Sequence, residues 1–253
     1  MTPDVTAVIS DIHGNLEALR AVLAEIERRG VSDILCLGDV LGYGPDPLAC
    51  LDLVMARCQT VLMGNHDFAV LYEPYNFNIG AEQACFWTRR QLEQEPEVEK
   101  RAARWRFLAA RPVAERREGM LAVHASPRRP INEYVFPDDI YTNPAKFPGI
   151  FDRIERIGFV GHTHVPGLFL EGPDFYSPDE LDHRFDLGGE RALVNVGSVG
   201  QPRDRDPRAS FVLFNGSSVE FVRLDYDIET TIRKFEQIDA LDDFLGVRLR
   251  DGR

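Results

Sequence analysis

Five of the six histidines of this chain sit in four short motifs, and a fifth motif adds an aspartate. In order they read SDIHGN (Asp11, His13), LGDV (Asp39), MGNHD (Asn65, His66, Asp67), VHAS (His124) and VGHTH (His162, His164). Imidazole, carboxylate and amide donors without a thiolate suit Mn, Fe, Zn, Co or Ni better than a soft-metal site. Asp11 with His13, and His162 with His164, are i, i+2 pairs; in an extended segment both members point to the same side. Adding Asp39, Asn65 and His124 gives seven donors, too many for one ordinary site and suited to two metals that share a carboxylate. Two divalent ions outweigh the carboxylates of Asp11 and Asp39, so such a centre attracts a phosphoryl group. A lone buried His or Asp is ordinarily a satisfied polar group. Packing does not explain an ordered set of them, each after a predicted strand.

The elements that must position these donors are legible as apolar runs. Residues 6–10 (TAVIS), 33–37 (DILCL) and 60–63 read as strands. Between them, Leu16, Leu19, Val22, Leu23 and Ile26 mark one face of a helix that Gly30 ends, and a second helix runs from about Pro47 to Arg57. His13 to Asp39 and Asp39 to Asn65 are each 26 residues apart, about one βαβ unit. The donors therefore emerge at the carboxyl ends of neighbouring parallel strands, the edge where open α/β sheets bind ligands. Residues 80–110 read as helical, 120–123 as a strand, and 126–149 as a Pro-rich irregular loop. Further strands are expected at 159–160, 168–170, 192–196, 211–214 and 219–222, with antiparallel pairing, an acidic surface loop at 171–190 and a closing helix from about Ile228. The expectation is an α/β chain forming a single domain over 1–253, with a mixed-sheet core.

Composition narrows the function classes. At 44% hydrophobic and 28% charged residues, the chain has the make-up of a soluble globular protein with a large core. It holds 29 Lys+Arg against 41 Asp+Glu, a formal charge of −12 that repels polyanions and argues against long nucleic acid as partner. No apolar run is long enough to span a membrane. The start, MTPDVTAVISD, lacks the basic and apolar regions of a secretory leader. The four cysteines show no CxxC spacing, and a cytoplasmic location is expected.

With these motifs in this order, the sequence resembles the calcineurin-like metallophosphoesterase superfamily, whose pattern runs D-x-H, G-D, G-N-H-[DE], H and G-H-x-H. The match spans residues 11–164, and NVGSVGQPRDRDPRAS extends it to about residue 210. GDVLGYGPDP and GNHD look like the compact bacterial and archaeal phosphodiesterase type. The resemblance implies a four-layer α-β-β-α sandwich, two mixed β-sheets flanked by helices. It implies that Asp11, His13 and His164 hold one metal, that Asn65, His124 and His162 hold another, and that Asp39 bridges them. Manganese is the first expectation for the two ions, with Fe, Zn, Ni or Co as alternatives. The implied reaction is in-line attack of a metal-bridging hydroxide on a small phosphate ester or anhydride: a phosphodiester, a nucleotide or a dinucleoside polyphosphate. His66 would stabilise the transition state or protonate the leaving group, with Asp67 orienting its ring.

For substrate contacts the expectation is Arg203, because the resemblance puts its turn beside the active site, and Tyr43 after the bridging Asp39. Tyr134, Phe136, Tyr141 and Phe147 are expected to form a small core under the Pro-rich loop, and His183 to lie on the surface. A homo-oligomer is compatible with the resemblance. The rival readings are a catalytically weak metal-binding scaffold and a nuclease.

Overall fold

The first predicted strand forms as β1 (Thr6–Ile9), buried along its whole length. Its side chains alternate between two cores. Ala7 and Ile9 share one with Leu19, Val22, Leu23 and Ile26 of helix α1 (Leu16–Arg28), whereas Val8 shares the other with Phe159 and Val194. Asn15 caps α1 by accepting the Ala18 N–H at 3.2 Å, and Gly30, at φ +70°, follows its end. The computed structural model describes residues 5–253; the leader reading above begins on residues 1–4, outside the described residues.

Strand β2 (Asp33–Cys36), helix α2 (Pro47–Arg57) and strand β3 (Thr60–Val61) complete two parallel crossovers. Helix α3 (Asn65–Leu71) follows, then α4 (Ile79–Glu93) and α5 (Val98–Ala109). The predicted helical stretch is thus broken around Pro96, whose ring and missing N–H do not allow a helix to run through. Strands β4 (Ala114–Arg117) and β5 (Met120–Val123) form a hairpin. Of two short helices, α6 (Asp139–Thr142) lies inside the expected loop and α7 (Lys146–Phe151) runs past its end. The rest is β6 (Ile157–Val160), β7 (Gly167–Leu170), β8 (Asp174–Tyr176), β9 (Arg184–Asp186), β10 (Ala192–Asn195), β11 (Ala209–Phe214), β12 (Ser218–Leu224), α8 (Ile228–Phe235) and α9 (Phe244–Val247).

The strands make two mixed six-stranded sheets, in the orders β3-β2-β1-β11-β12-β9 and β4-β5-β6-β10-β7-β8. Val8, Leu35, Val212 and Phe221 from the first sheet share a core with Ala122, Phe159, Leu168 and Val194 from the second. The outer face of the first sheet is covered by helices including α1 and α2, and that of the second by α7. This is the α-β-β-α sandwich expected from the resemblance.

Two expectations need correction. Strand β6 pairs in parallel with both β5 and β10, although antiparallel pairing holds for β7–β10 and β11–β12. The acidic segment 171–190 is not all loop: β8 and β9 are edge strands within it, short and charged in the way that keeps sheet edges from pairing with other chains.

Candidate metal centre

All the motif donors lie just beyond the carboxyl ends of strands. Asp11 and His13 follow β1, Asp39 follows β2 and Asn65 follows β3; His124 follows β5, and His162 and His164 follow β6. The strands carrying them are parallel within each sheet. The i, i+2 pairs are not extended, however. Asp11, His13, Asp39, His162 and His164 all adopt left-handed backbone, with φ from 48° to 66°. Each chain turns sharply over the sheet edge, and backbone bonds hold the turn: the Ile12 and His13 N–H groups both donate to the Asp39 carbonyl at 2.9 Å.

The side chains converge in two groups. In one, Asp11, His13 and His164 bring their donor atoms within 4.8 Å of one another; in the other, Asp39, His124 and His162 do the same. Asn65 joins the second group, its Oδ1 lying 3.0 Å from His124 Nε2, and His162 Nδ1 lies 3.2 Å from that same nitrogen. Asp39 Oδ2 sits 3.5 Å from His13 Nε2 on one side and 3.5 Å from His124 Nε2 on the other.

Backbone partners fix the tautomers. His13 Nδ1 donates to the Leu41 carbonyl at 3.1 Å, and His164 Nδ1 donates to the Gln201 carbonyl at 2.6 Å. Their Nε2 atoms therefore carry lone pairs, and these face each other across 3.2 Å. Asp11 Oδ1, 3.1 Å from His164 Nε2, consequently meets no donor and is an orphaned buried carboxylate oxygen. Burial pushes the imidazoles of His13, His66 and His162 well below their usual range, and that of His164 down to about 4, so these rings are neutral. Burial, and then the carboxylates of Asp11 and Asp67, push Asp39 up. Among the described residues only histidines, and no lysine or arginine, come within 4.0 Å of the Asp11 and Asp39 carboxylates. Neutral imidazoles with converging lone pairs, and buried carboxylates with no basic side chain, are a donor set that fits divalent cations.

The glycines of two motifs serve close approach. Gly38 holds φ +109°, and a Cβ there would lie 2.4 Å from the Gly64 nitrogen. A Cβ at Gly161 would lie 2.3 Å from Asp11 Oδ2 and from Ser10 Oγ. Gly161→Ala is therefore expected to displace the Asp11 carboxylate and to lower the metal content found by elemental analysis, at a stability cost of about 1–3 kcal/mol. Unchanged metal content would show that Asp11 has room to give way.

His66 presents one ring nitrogen within 4.8 Å of donor atoms of His13 and Asp39. Asp67 does not orient it. The Asp67 carboxylate instead accepts the Leu41 N–H at 3.0 Å and the Gly64 N–H at 3.3 Å, tying the loop after β2 to the start of α3. A carboxylate at the third position of a helix turns back to the free N–H groups at its start. The group against His66 Nδ1 is the buried Cys85 thiol of α4, at 3.6 Å, which sequence reasoning missed because nothing near Cys85 marks it.

Tyr43 is buried, its ring centroid 4.9 Å from that of His13 and 4.5 Å from that of His66. Arg203 is half-buried; its Nη2 donates to Gln201 Oε1 at 2.6 Å and its backbone N–H to the His164 carbonyl at 3.2 Å. Beside the donors opens a cavity of about 670 Å³ lined by Tyr43, Asn65, His66, Phe77, Tyr134 and His162, among others. Tyr134 and Phe136 are not core residues: both are nearly half exposed, and Tyr134 stacks on His162 at 4.0 Å and on Phe136 at 5.2 Å. Phe147 is in the core, whereas Tyr141 is exposed. His183 is partly exposed, 3.4 Å from Asp179.

Comparison with known proteins agrees with this architecture. The family model of calcineurin-like phosphoesterases matches residues 5–166. An uncharacterised protein of Methanocaldococcus jannaschii is 35% identical over an alignment of 269 positions, gaps included, covering the whole of both chains. A symmetrical bis(5'-nucleosyl)-tetraphosphatase of Pectobacterium atrosepticum is 39% identical over 69 residues, 26% of this chain and 25% of that one. Among solved structures, a metallophosphoesterase from Sphaerobacter thermophilus superposes with a TM-score of 0.83 at 34% identity, covering 99% of this chain and 100% of the other. The chain belongs to the calcineurin-like phosphoesterase family, metal-dependent hydrolases of phosphoric esters.

Proposed function

We propose that this protein holds two divalent ions and hydrolyses small phosphate esters or anhydrides, with nucleotides and dinucleoside polyphosphates as the leading substrates. The observation that carries the reading is Asp39 Oδ2, equidistant at 3.5 Å from a histidine of each donor group. Asp11, His13 and His164 would hold one ion, Asn65, His124 and His162 the other, with Asp39 shared; Mn²⁺ is the first candidate, and Fe, Zn, Ni or Co suit the same donors. When bound, such ions supply a water of lowered pKa and positive charge for the phosphoryl oxygens. The chain's own residues do the rest. Leu41 and Gln201 carbonyls lock two imidazoles so that Nε2 faces the site. Burial, and then the charge of Arg203, keep His66 neutral, so it offers the leaving oxygen an N–H hydrogen bond rather than a loosely held imidazolium proton.

The substrate class rests on the adjoining cavity, whose aromatic and amide lining suits a nucleobase, and on the similarity to a bis(5'-nucleosyl)-tetraphosphatase. Tyr134→Ala is expected to raise KM for a nucleotide about 5- to 100-fold relative to a substrate without a base, the range of one lost stacking contact. Equal changes for both would remove the cavity from base recognition. We propose that residues 1–253 act as one catalytic unit, because Arg248, beyond α9, packs over Tyr43.

Turnover of bis-p-nitrophenyl phosphate and a panel of nucleotides with added Mn²⁺, alongside elemental analysis, tests the reading. Hydrolysis with two metals per chain supports it. Absence of hydrolysis under every divalent ion overturns it in favour of a binding scaffold, and cleavage of DNA in gel assays would favour a nuclease.

A further inference from the structure

Two arginines that no carboxylate neutralises lie beside the donor cluster. Arg203 comes from the turn after β10, and Arg248 from the segment directly after α9. Their guanidinium carbons lie 5.7 Å and 5.2 Å from the centroid of the same ring, Tyr43. The Nε atoms of both, and Nη2 of Arg248, are buried without a hydrogen-bond partner. Neither arginine forms an ion pair among the described residues, although Arg104, Arg117 and Arg223 each find a carboxylate.

Burial, and then the charge of Arg203, bring the Arg248 guanidinium down to about 10, which registers the same uncompensated charge. Holding two like charges together with unmatched donors is costly unless an anion joins them. Neither residue is fully buried, although the Nε atoms of both and Nη2 of Arg248 are covered, so an anion would approach by the remaining guanidinium N–H groups. Guanidinium groups grip phosphoryl oxygens with paired, planar N–H donors.

Position then says which phosphoryl group. The Tyr43 ring that both arginines cover touches His13 and His66 with its other contacts. Tyr43 thus links the arginines to the donor cluster, and an anion held on them would be next to a phosphoryl group placed there. We propose that Arg203 and Arg248 form a subsite for a second phosphoryl group, adjacent to the one attacked, which selects phosphoanhydrides over simple esters. The proposal rests on the phosphoesterase reading above and narrows its substrate class.

The test compares wild type, Arg248→Gln and Arg248→Lys, each loaded with Mn²⁺, on diadenosine tetraphosphate and on bis-p-nitrophenyl phosphate. The ratio of kcat/KM for the anhydride to that for the ester is expected to fall about 10- to 100-fold in Arg248→Gln, the range of a lost charge-assisted contact, and less in Arg248→Lys. A ratio equal to that of wild type in Arg248→Gln overturns the subsite. Calorimetric titration of the wild-type protein with inorganic pyrophosphate and with inorganic phosphate provides a readout independent of turnover and of the variants' folding. Pyrophosphate is expected to bind at least about 10-fold more tightly; equal affinity also overturns the proposal. Failure of the phosphoesterase reading looks different, because wild type would then hydrolyse neither substrate.

Discussion

Replacing Asp39 with Ala is expected to strip both metal ions from the protein and to abolish turnover with them. The carboxylate has a histidine of each donor group 3.5 Å from Oδ2, so its loss removes negative charge from both at once. Several kcal/mol of transition-state charge stabilisation would go with the ions, on the order of a 10³-fold or greater loss in kcat/KM. Asp39 Oδ1 also accepts the His66 N–H at 2.8 Å, so the Ala variant leaves a buried N–H unpaired at about 1–3 kcal/mol. Asp39→Asn keeps an acceptor for that N–H, removes the charge and puts an NH2 donor in place of Oδ2. If Asp39→Asn retained two metals and full activity, a shared carboxylate would have no part in the centre. The measurements are metal content by elemental analysis and kinetics on bis-p-nitrophenyl phosphate.

His66→Gln is expected to behave differently: metals retained, kcat lowered by about 10²-fold. The ring belongs to neither of the two donor groups, so its removal should not empty them. It packs between Tyr43 and Phe77, with the Cys85 thiol at Nδ1. Because burial holds the imidazole neutral, the contribution we propose for it is a hydrogen bond to the departing oxygen. That predicts a dependence on the leaving group. A nitrophenolate departs easily and should suffer less than an alkoxide, so the loss should be larger for nucleotides than for bis-p-nitrophenyl phosphate. A uniform loss with both would point to altered metal geometry instead, and no loss would remove His66 from the reaction.

Much of the positioning frame was legible because apolar periodicity is a strong signal where strands are covered on both faces. Thr6–Ile9, Asp33–Cys36 and Met120–Val123 are such strands, and the donors of the motifs do follow them. Charged edges were not legible: β4 reads AERR, is nowhere fully buried, and is a strand through its pairing with β5. Within the site, the side chains that converge are those whose types and spacing advertise metal affinity. The parts that orient them left no mark in the sequence. The groups locking His13 and His164 are backbone carbonyls of Leu41 and Gln201, which any residue could supply. Cys85 and Arg248 reach the site from elements distant in sequence, and only the packing of α4 and the C-terminal segment brings them there. Asp67 shows the reverse error, since its motif position implied a partner that the geometry of a helix start supplies otherwise.

The left-handed backbone at Asp11, His13, Asp39, His162 and His164 has a consequence for how this protein would respond to selection. Each such conformation costs an L-residue roughly 1–2 kcal/mol that glycine escapes. A library screened for heat tolerance without divalent ions would therefore penalise glycine less here than at other buried positions, the relieved strain offsetting part of what the lost side chain costs, and would admit inert proteins. The same library screened with Mn²⁺ in the medium would discard them, because ligand binding to the native state repays the contortion.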